Sequence, residues 1–294
     1  MKNKTIYYVA SVIAMILWSA SFIATKIAYS VFAPIMVGFI RFLIAAVILG
    51  AVCLSKRNFV KPGKKDMKTI ALSGLFGITL YFAAENIGVK YTSASNASLI
   101  IASYPAITAL FEFIIYRIKP GIKKSFGIAL AFAGIAILAF TQDNATNPKV
   151  LIGNIILIAT GVIWTFYNFT TRSVANKYSP VTLSFYQMLF GTIFFIPLVF
   201  IEQGSIGTIT TSGVLAMIYL ACGCSVAAFL LYNFGLRKLT AATSVSLMNL
   251  IPIFGLILSA LILHETISAK QIACGIIVIL GVVLSTNENK KYRG

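Results

Sequence analysis

The stretch "ENIGVKYTSASNASLIIASYPA", residues 85–106, decides the fold when it is laid on "YNFGLRKLTAATSVSLMNLIPI", residues 232–253. At a spacing of 147 the two pair Asn86 with Asn233, Gly88 with Gly235, Lys90 with Arg237 and Pro105 with Pro252. Upstream, "AMILWSASFIATKIAYSVFAP" (14–34) and "TGVIWTFYNFTTRSVANKYSP" (160–180) pair Trp18 with Trp164, Lys26 with Arg172 and Pro34 with Pro180 at a spacing of 146. Downstream, Gly134 pairs with Gly281, again 147 apart. A nearly constant spacing across polar, aromatic and proline markers is the mark of a duplicated chain.

Each copy is apolar enough to live in a bilayer. Of 294 residues 59% are apolar and 11% charged, against about 45–50% and about 25% in a soluble domain. The charges are confined to short intervals between long apolar runs, which leaves no sizeable domain outside the membrane. A net charge of +17 raises the question of nucleic acid. No basic helix carries the interleaved aromatic residues of a stacking platform, so no nucleic-acid partner is expected.

A hydrocarbon core about 30 Å thick takes roughly 20 helical residues. Ten segments fit: 5–26, 33–54, 69–88, 94–116, 122–141, 150–171, 181–201, 213–235, 241–263 and 270–287. With Met1 in the cytoplasm, 19 of the 24 basic residues fall on the cytoplasmic side, among them Lys2, Lys4, Lys56, Arg57, Lys119, Lys290, Lys291 and Arg293. Four fall outside, and Arg41 lies within a span. This bias predicts both termini in the cytoplasm.

Five helices per copy is an odd number, so the second copy enters the membrane from the opposite side. The expected fold is therefore an all-α polytopic membrane protein of ten transmembrane helices in two inverted five-helix repeats, residues 1–145 and 146–294. Two such halves can exchange roles at similar energy, which exposes one central site to either side in turn.

Polar residues inside the spans mark that site, because the membrane makes them costly. Arg41 stands roughly 12 Å below the outer end of the second helix, at 1.5 Å per residue. Glu85 stands one turn below the outer end of the third. They are expected to form a structural or gating ion pair or to share a substrate that carries a carboxylate, with outward snorkelling as the remaining alternative for Arg41. The repeat partner of Arg41 is Gln187, so the charge belongs to one half only.

Tyr104, Thr108 and Glu112 share a face of the fourth helix that suits a water-filled cavity or a helix contact rather than lipid. Glu112 is a candidate for proton coupling, for contact with a cationic substrate, or for pairing with Arg117, Arg172 or another basic group at the inner mouth; its repeat partner is Ser259. Trp18 and Phe22 in the first helix, Trp164 and Asn168 in the sixth, Tyr81 in the third, and Tyr232 and Asn249 in the second half complete the candidate cavity. Aromatic faces of this kind serve helix packing, or hold an aromatic, aliphatic or quaternary ammonium ligand. Pro105 and Pro252 are expected to kink the fourth and ninth helices near mid-membrane and to turn unpaired carbonyls toward the cavity.

Enzyme signatures do not survive inspection. His264 and Glu265 in "HET" form neither a zinc helix nor part of a triad and are expected to make a local cap or interface pair, and the glycines never make a phosphate-binding loop. Cys53, Cys222, Cys224 and Cys274 sit in apolar runs as packed small residues, with no metal-site spacing. No cofactor, metal or catalytic residue is expected. The rival class is a membrane receptor or lipid-handling protein that transports nothing, and the duplication gives such a protein no evident purpose.

The pair "TSASNASLIIASYPAITAL" and "LTAATSVSLMNLIPIFGLI" resembles the drug/metabolite transporter superfamily, in particular its EamA-type members. The first-helix "LWSASFIATKIA", the second-helix "RFLIAAVIL" with Arg41, and the closing "LILHETISAKQIACGIIVILGVVLS" with Glu265, Gln271, Gly275 and Gly281 carry the same resemblance. In the first repeat Ile118 stands where Glu265 stands in the second, a departure from the family pattern. The resemblance implies secondary transport of a small organic metabolite at a prokaryotic cytoplasmic membrane, by a monomer or a homodimer. It implies a cavity bounded by the third, fourth, eighth and ninth helices, with the first and sixth and their neighbours rocking to open each side. Family substrates include amino acids, nucleosides, polyamines and choline-like cations. Arg41 favours an amino acid or similar zwitterion, and an organic cation is the alternative, with protons as a candidate coupling ion. Export and import both stay open.

Overall fold

The computed structural model describes residues 5–55, 60–117, 121–140, 148–202, 206–239 and 241–286. Lys2, Lys4, Lys56, Arg57, Ile118, Lys119, Lys290, Lys291, Arg293 and the junction between the halves at 145/146 lie outside the described residues.

The described residues form ten helices. They are α1 (Thr5–Ala28), α2 (Pro34–Ser55), α3 (Lys64–Tyr91), α4 (Ala94–Ile101 and Tyr104–Tyr116), α5 (Ile122–Phe140), α6 (Pro148–Ala175), α7 (Pro180–Glu202), α8 (Thr211–Leu236), α9 (Ala241–Ser246, then Leu250–Ile262) and α10 (Ala269–Thr286). Eight have the length and composition to cross a membrane, and α10 holds a shorter apolar stretch, Ala269–Leu284. The ends follow from local chemistry. Pro34, Pro148 and Pro180 open α2, α6 and α7, where a missing N–H costs nothing and φ is already set. Ser93 and Thr210 cap α4 and α8 through their side chains, each satisfying one N–H that the first turn leaves over.

Repeat partners pack as a two-fold demands. Helices α2 and α7, α4 and α9, and α5 and α10 pair with each other. The contact of α3 with α6 is matched by that of α8 with α1, and α4 with α6 by α9 with α1. The match extends to single atoms. A Cβ on Gly88 would stand 2.7 Å from Leu157 and 3.1 Å from the Gly153 carbonyl, while one on Gly235 would meet Ser11 at 2.1 Å and the Tyr7 carbonyl at 3.4 Å. Leu157 and Gly153 are the repeat partners of Ser11 and Tyr7, so glycine is required twice for one close helix approach.

Departures from α-helix also come in pairs. Helix α3 widens to a π-helix at Leu75–Leu80 and α8 does so at Tyr219–Ala228, which are matching positions at the 147 spacing. The two non-glycine residues with positive φ among the described residues, Arg117 and His264 at 54° each, are repeat partners that terminate α4 and α9 in the left-handed conformation of a helix C-terminus. Helix α4 breaks at Ala102–Ser103 just ahead of Pro105, and α9 passes through a 3₁₀ turn at Leu247–Asn249 just ahead of Pro252. The proline ring excludes the preceding turn from regular α-geometry, so both breaks fall on its N-terminal side. The outer surface is lined with exposed apolar side chains such as Leu54, Phe200, Ile201 and Leu261, as a lipid-facing surface requires.

Candidate functional site

The inward faces of α1, α3, α4, α6 and α9 meet around a cavity of about 20 Å³, room for roughly one water molecule. Trp18, Phe22, Tyr81, Glu85 and Trp164 line it, joined by Ser21, Phe82 and apolar groups from α4 and α9. The two tryptophans meet edge to face with centroids 5.7 Å apart, and Tyr81 tilts against Trp164 at 4.8 Å. The Trp18 indole N–H donates to the Cys224 carbonyl at 3.1 Å, whereas the buried Trp164 N–H makes no hydrogen bond.

Glu85 is the charged group on the cavity wall. It is buried and accepts a hydrogen bond from the Tyr81 hydroxyl at 2.9 Å, one turn away on the same helix face. Arg41 stands one layer behind, fully buried. Its guanidinium carbon lies 4.6 Å from the centre of the Phe82 ring and 5.0 Å from that of Phe42. Nε donates to Ser225 Oγ at 2.8 Å, while Nη1 and Nη2 have no partner. The direct ion pair with Glu85 is not made within 4.0 Å.

The second half holds neutral groups where the first holds these charges. Gln187, the partner of Arg41, is satisfied on both sides: its amide donates to Ser73 and Thr171 at 3.0 Å each and accepts from Asn233 at 3.0 Å. Tyr232, which stands where Glu85 stands at the 147 spacing, donates to Asn168 Oδ1 at 2.6 Å. Asn168 donates in turn to the Trp164 carbonyl.

The other candidates lie elsewhere. Tyr104 and Thr108 face α6 rather than the cavity: the Tyr104 hydroxyl bonds Thr160, and Thr108 bonds Thr165 at 2.9 Å. Glu112 reaches Lys124 of α5 at 3.7 Å. Asn249 sits in the 3₁₀ turn of α9 with its Oδ1 buried and unbonded.

Two groups at the site were not singled out from the sequence. Ser225 has no polar repeat partner and is 184 residues from Arg41. Phe82 lay beside Tyr81 and three residues before Glu85, a spacing that puts it on their face. Two carboxylates close the helix ends remote from the chain termini, and one of them is Glu265, whose expected role as a local cap or interface contact the hydrogen bonds match. Glu265 accepts from the Ala94 and Ser95 N–H groups and from Ser95 Oγ at 2.8–3.0 Å. Glu202 accepts from the Ile35 and Met36 N–H groups at 2.9 and 3.0 Å. Each of these two second-half carboxylates thereby holds the N-terminus of a first-half helix, where free N–H groups and the helix dipole favour negative charge.

A family model described as "EamA-like transporter family" matches residues 5–140 and again 151–287. An uncharacterized transporter of Archaeoglobus fulgidus is 30% identical over 97% of this chain and 98% of its own length. The transporter YetK of Bacillus subtilis is 27% identical over 97% of this chain and 87% of its own. A probable terminal-alkyne amino-acid exporter of Streptantibioticus cattleyicolor is 24% identical over 94% and 91% respectively. One solved crystal structure shares the fold with a TM-score of 0.71 and 19% identity, covering 96% of this chain and 98% of that one.

Proposed function

This chain belongs to the EamA-like transporter family, and on that premise we propose that it moves amino acids or related zwitterions across a prokaryotic cytoplasmic membrane by alternating access. The observation that carries this reading is the pair of buried opposite charges at the centre, Arg41 and Glu85, which do not neutralise each other directly. Two such groups held apart in a low-dielectric site are an unmet demand, and a small molecule with both charges meets it. The amino-acid exporter among the relatives supports the same class.

In this reading the halves, residues 1–145 and 146–294, are the units that rock against each other, and both termini face the cytoplasm. A cavity of about 20 Å³ is too small for an amino acid, so this conformation is a contracted one and substrate enters after the halves separate. Energy comes from the substrate gradient or from protons, with Glu85 and Glu112 as the candidate coupling acids. The protein acts in the bilayer as a monomer or a homodimer, and exports or exchanges its substrate.

The aromatic wall around Glu85 favours a second reading, an organic cation held by ring faces and one carboxylate. Counterflow in sealed liposomes separates the two. Protein loaded with an unlabelled amino acid should take up the labelled form without ATP, whereas uptake of quaternary amines and no amino acid would establish the second reading.

A further inference from the structure

The structure assigns the carboxylate of the substrate to Arg41 Nη1 and Nη2, at a seat that the Phe82 ring covers in the present conformation. The assignment rests on the transport reading and adds to it a place and an order of events. The guanidinium has five donors in a planar fork, of which Nε alone is used. Its two terminal nitrogens are buried and unbonded, on a side chain that water does not reach. Those nitrogens are the end of the fork that a carboxylate takes bidentately. Ser225 on Nε and the adjoining Phe42 and Phe82 rings hold the fork in place.

Phe82 is the side chain that the seat and the cavity share. Phe82 lines the cavity and covers the guanidinium, so turning this ring aside joins the space beside Glu85 to the free nitrogens. Glu85 and the Trp164 and Tyr81 rings then face the ammonium end. The second half cannot form a like seat, because Gln187 has its amide occupied by Ser73, Thr171 and Asn233. One substrate per molecule follows, bound with its carboxylate toward α2 and its ammonium toward α3.

The test is competition in proteoliposome counterflow, with the twenty proteinogenic L-amino acids as probes. Each amino acid that exchanges is set against its decarboxylated amine and its deaminated acid, as phenethylamine and 3-phenylpropionate are for phenylalanine. Both analogues are expected to compete about tenfold or more weakly, since each leaves one buried charge unpaired. Arg41→Gln should weaken the amino acid by about tenfold or more and leave competition by the amine unchanged. Should that variant fail to fold, Arg41→Lys keeps the charge without the fork and should weaken the amino acid alone. An amine that competes as well as its amino acid overturns the seat, and so does an Arg41 variant that weakens both by the same factor, because that is the mark of a structural residue. Exchange of amines or nucleosides with no amino acid also overturns it and leaves transport standing. No exchange of any of these by folded protein overturns the transport reading as well.

Discussion

Trp18 and Trp164 hold the same place in the two repeats and touch each other edge to face, with ring centroids 5.7 Å apart. Residues related by a two-fold meet only near its axis, so this contact locates the axis in the cavity wall. The two rings differ in one respect. Trp18 donates to the Cys224 carbonyl and Trp164 donates to nothing. Replacing each by Phe removes the same volume, so the difference between the variants isolates the hydrogen bond. Trp18→Phe should lower unfolding stability in detergent by about 1 kcal/mol more than Trp164→Phe. Equal melting temperatures for the two would show that the Trp18 bond contributes nothing.

Arg41 should be a stability cost in the empty protein. A buried guanidinium with two unbonded nitrogens has lost its hydration without full compensation. Arg41→Met places an unbranched apolar side chain against the packed Phe42 and Phe82 rings. The variant should be as stable as the parent or more stable by about 1–4 kcal/mol, while losing amino-acid exchange. A fall of about 3 kcal/mol or more in a thermal or denaturant melt would mean that the guanidinium is neutralised in the resting protein, and would remove the reason for a substrate to bind there.

The Glu265 carboxylate joins α9 to the start of α4 through three hydrogen bonds, and its repeat partner Ile118 cannot do the same at the other end. Glu202 and its partner Lys56 stand in the same relation. The helix ends remote from the termini are thus clasped by carboxylates on helix N–H groups, while on the terminal side Asp66 joins α3 to the end of α6 through Lys177 and Tyr178. Glu265→Ala should reduce stability by about 1–2 kcal/mol and raise the rate at which a cysteine placed at Ser21 reacts from the clasped side. Unchanged reactivity would assign Glu265 to helix capping alone.

Two acids are candidates for coupling, and their surroundings separate them. Glu85 is buried on the cavity wall with Tyr81 as its hydrogen-bond donor, and Glu112 is partly exposed and faces Lys124. A proton that must alternate with substrate needs access to the cavity, which Glu85 has. Glu85→Gln should abolish the dependence of uphill transport on a proton gradient. Glu112→Gln should leave that dependence intact and change stability by no more than about 1 kcal/mol, as for an exposed pair. The reverse pattern in proteoliposomes with an imposed pH step would transfer coupling to Glu112.

Much of the fold was legible because the bilayer simplifies the code. Helices must be long, apolar and internally bonded, and the duplication supplied markers such as Pro105 with Pro252 that survive in both copies. The inversion followed from counting five helices per copy. The site was legible only where it shares these constraints. Trp18, Phe22, Tyr81, Glu85 and Trp164 could be placed on inward faces by helical spacing. Tyr104 and Thr108 show the limit of that argument: spacing tells that a face avoids lipid, and Thr160 and Thr165 across on α6 make it a helix contact. The surroundings of Arg41 were out of reach for a related reason. Ser225 comes from a helix 184 residues away, and in the other copy its position is Ile78, so no marker pointed to it.

Alternating access is the central claim, and its most direct measurement is the two-sided accessibility of one position on the cavity wall. A cysteine at Ser21, in a chain whose four native cysteines are replaced by serine, is treated in sealed vesicles with a membrane-impermeant thiol reagent applied from one side or the other. The account predicts slow labelling from both sides, and protection on both sides by the amino acid that exchanges. Labelling from one side only, unchanged by any substrate, would describe a receptor with a fixed pocket and contradict it.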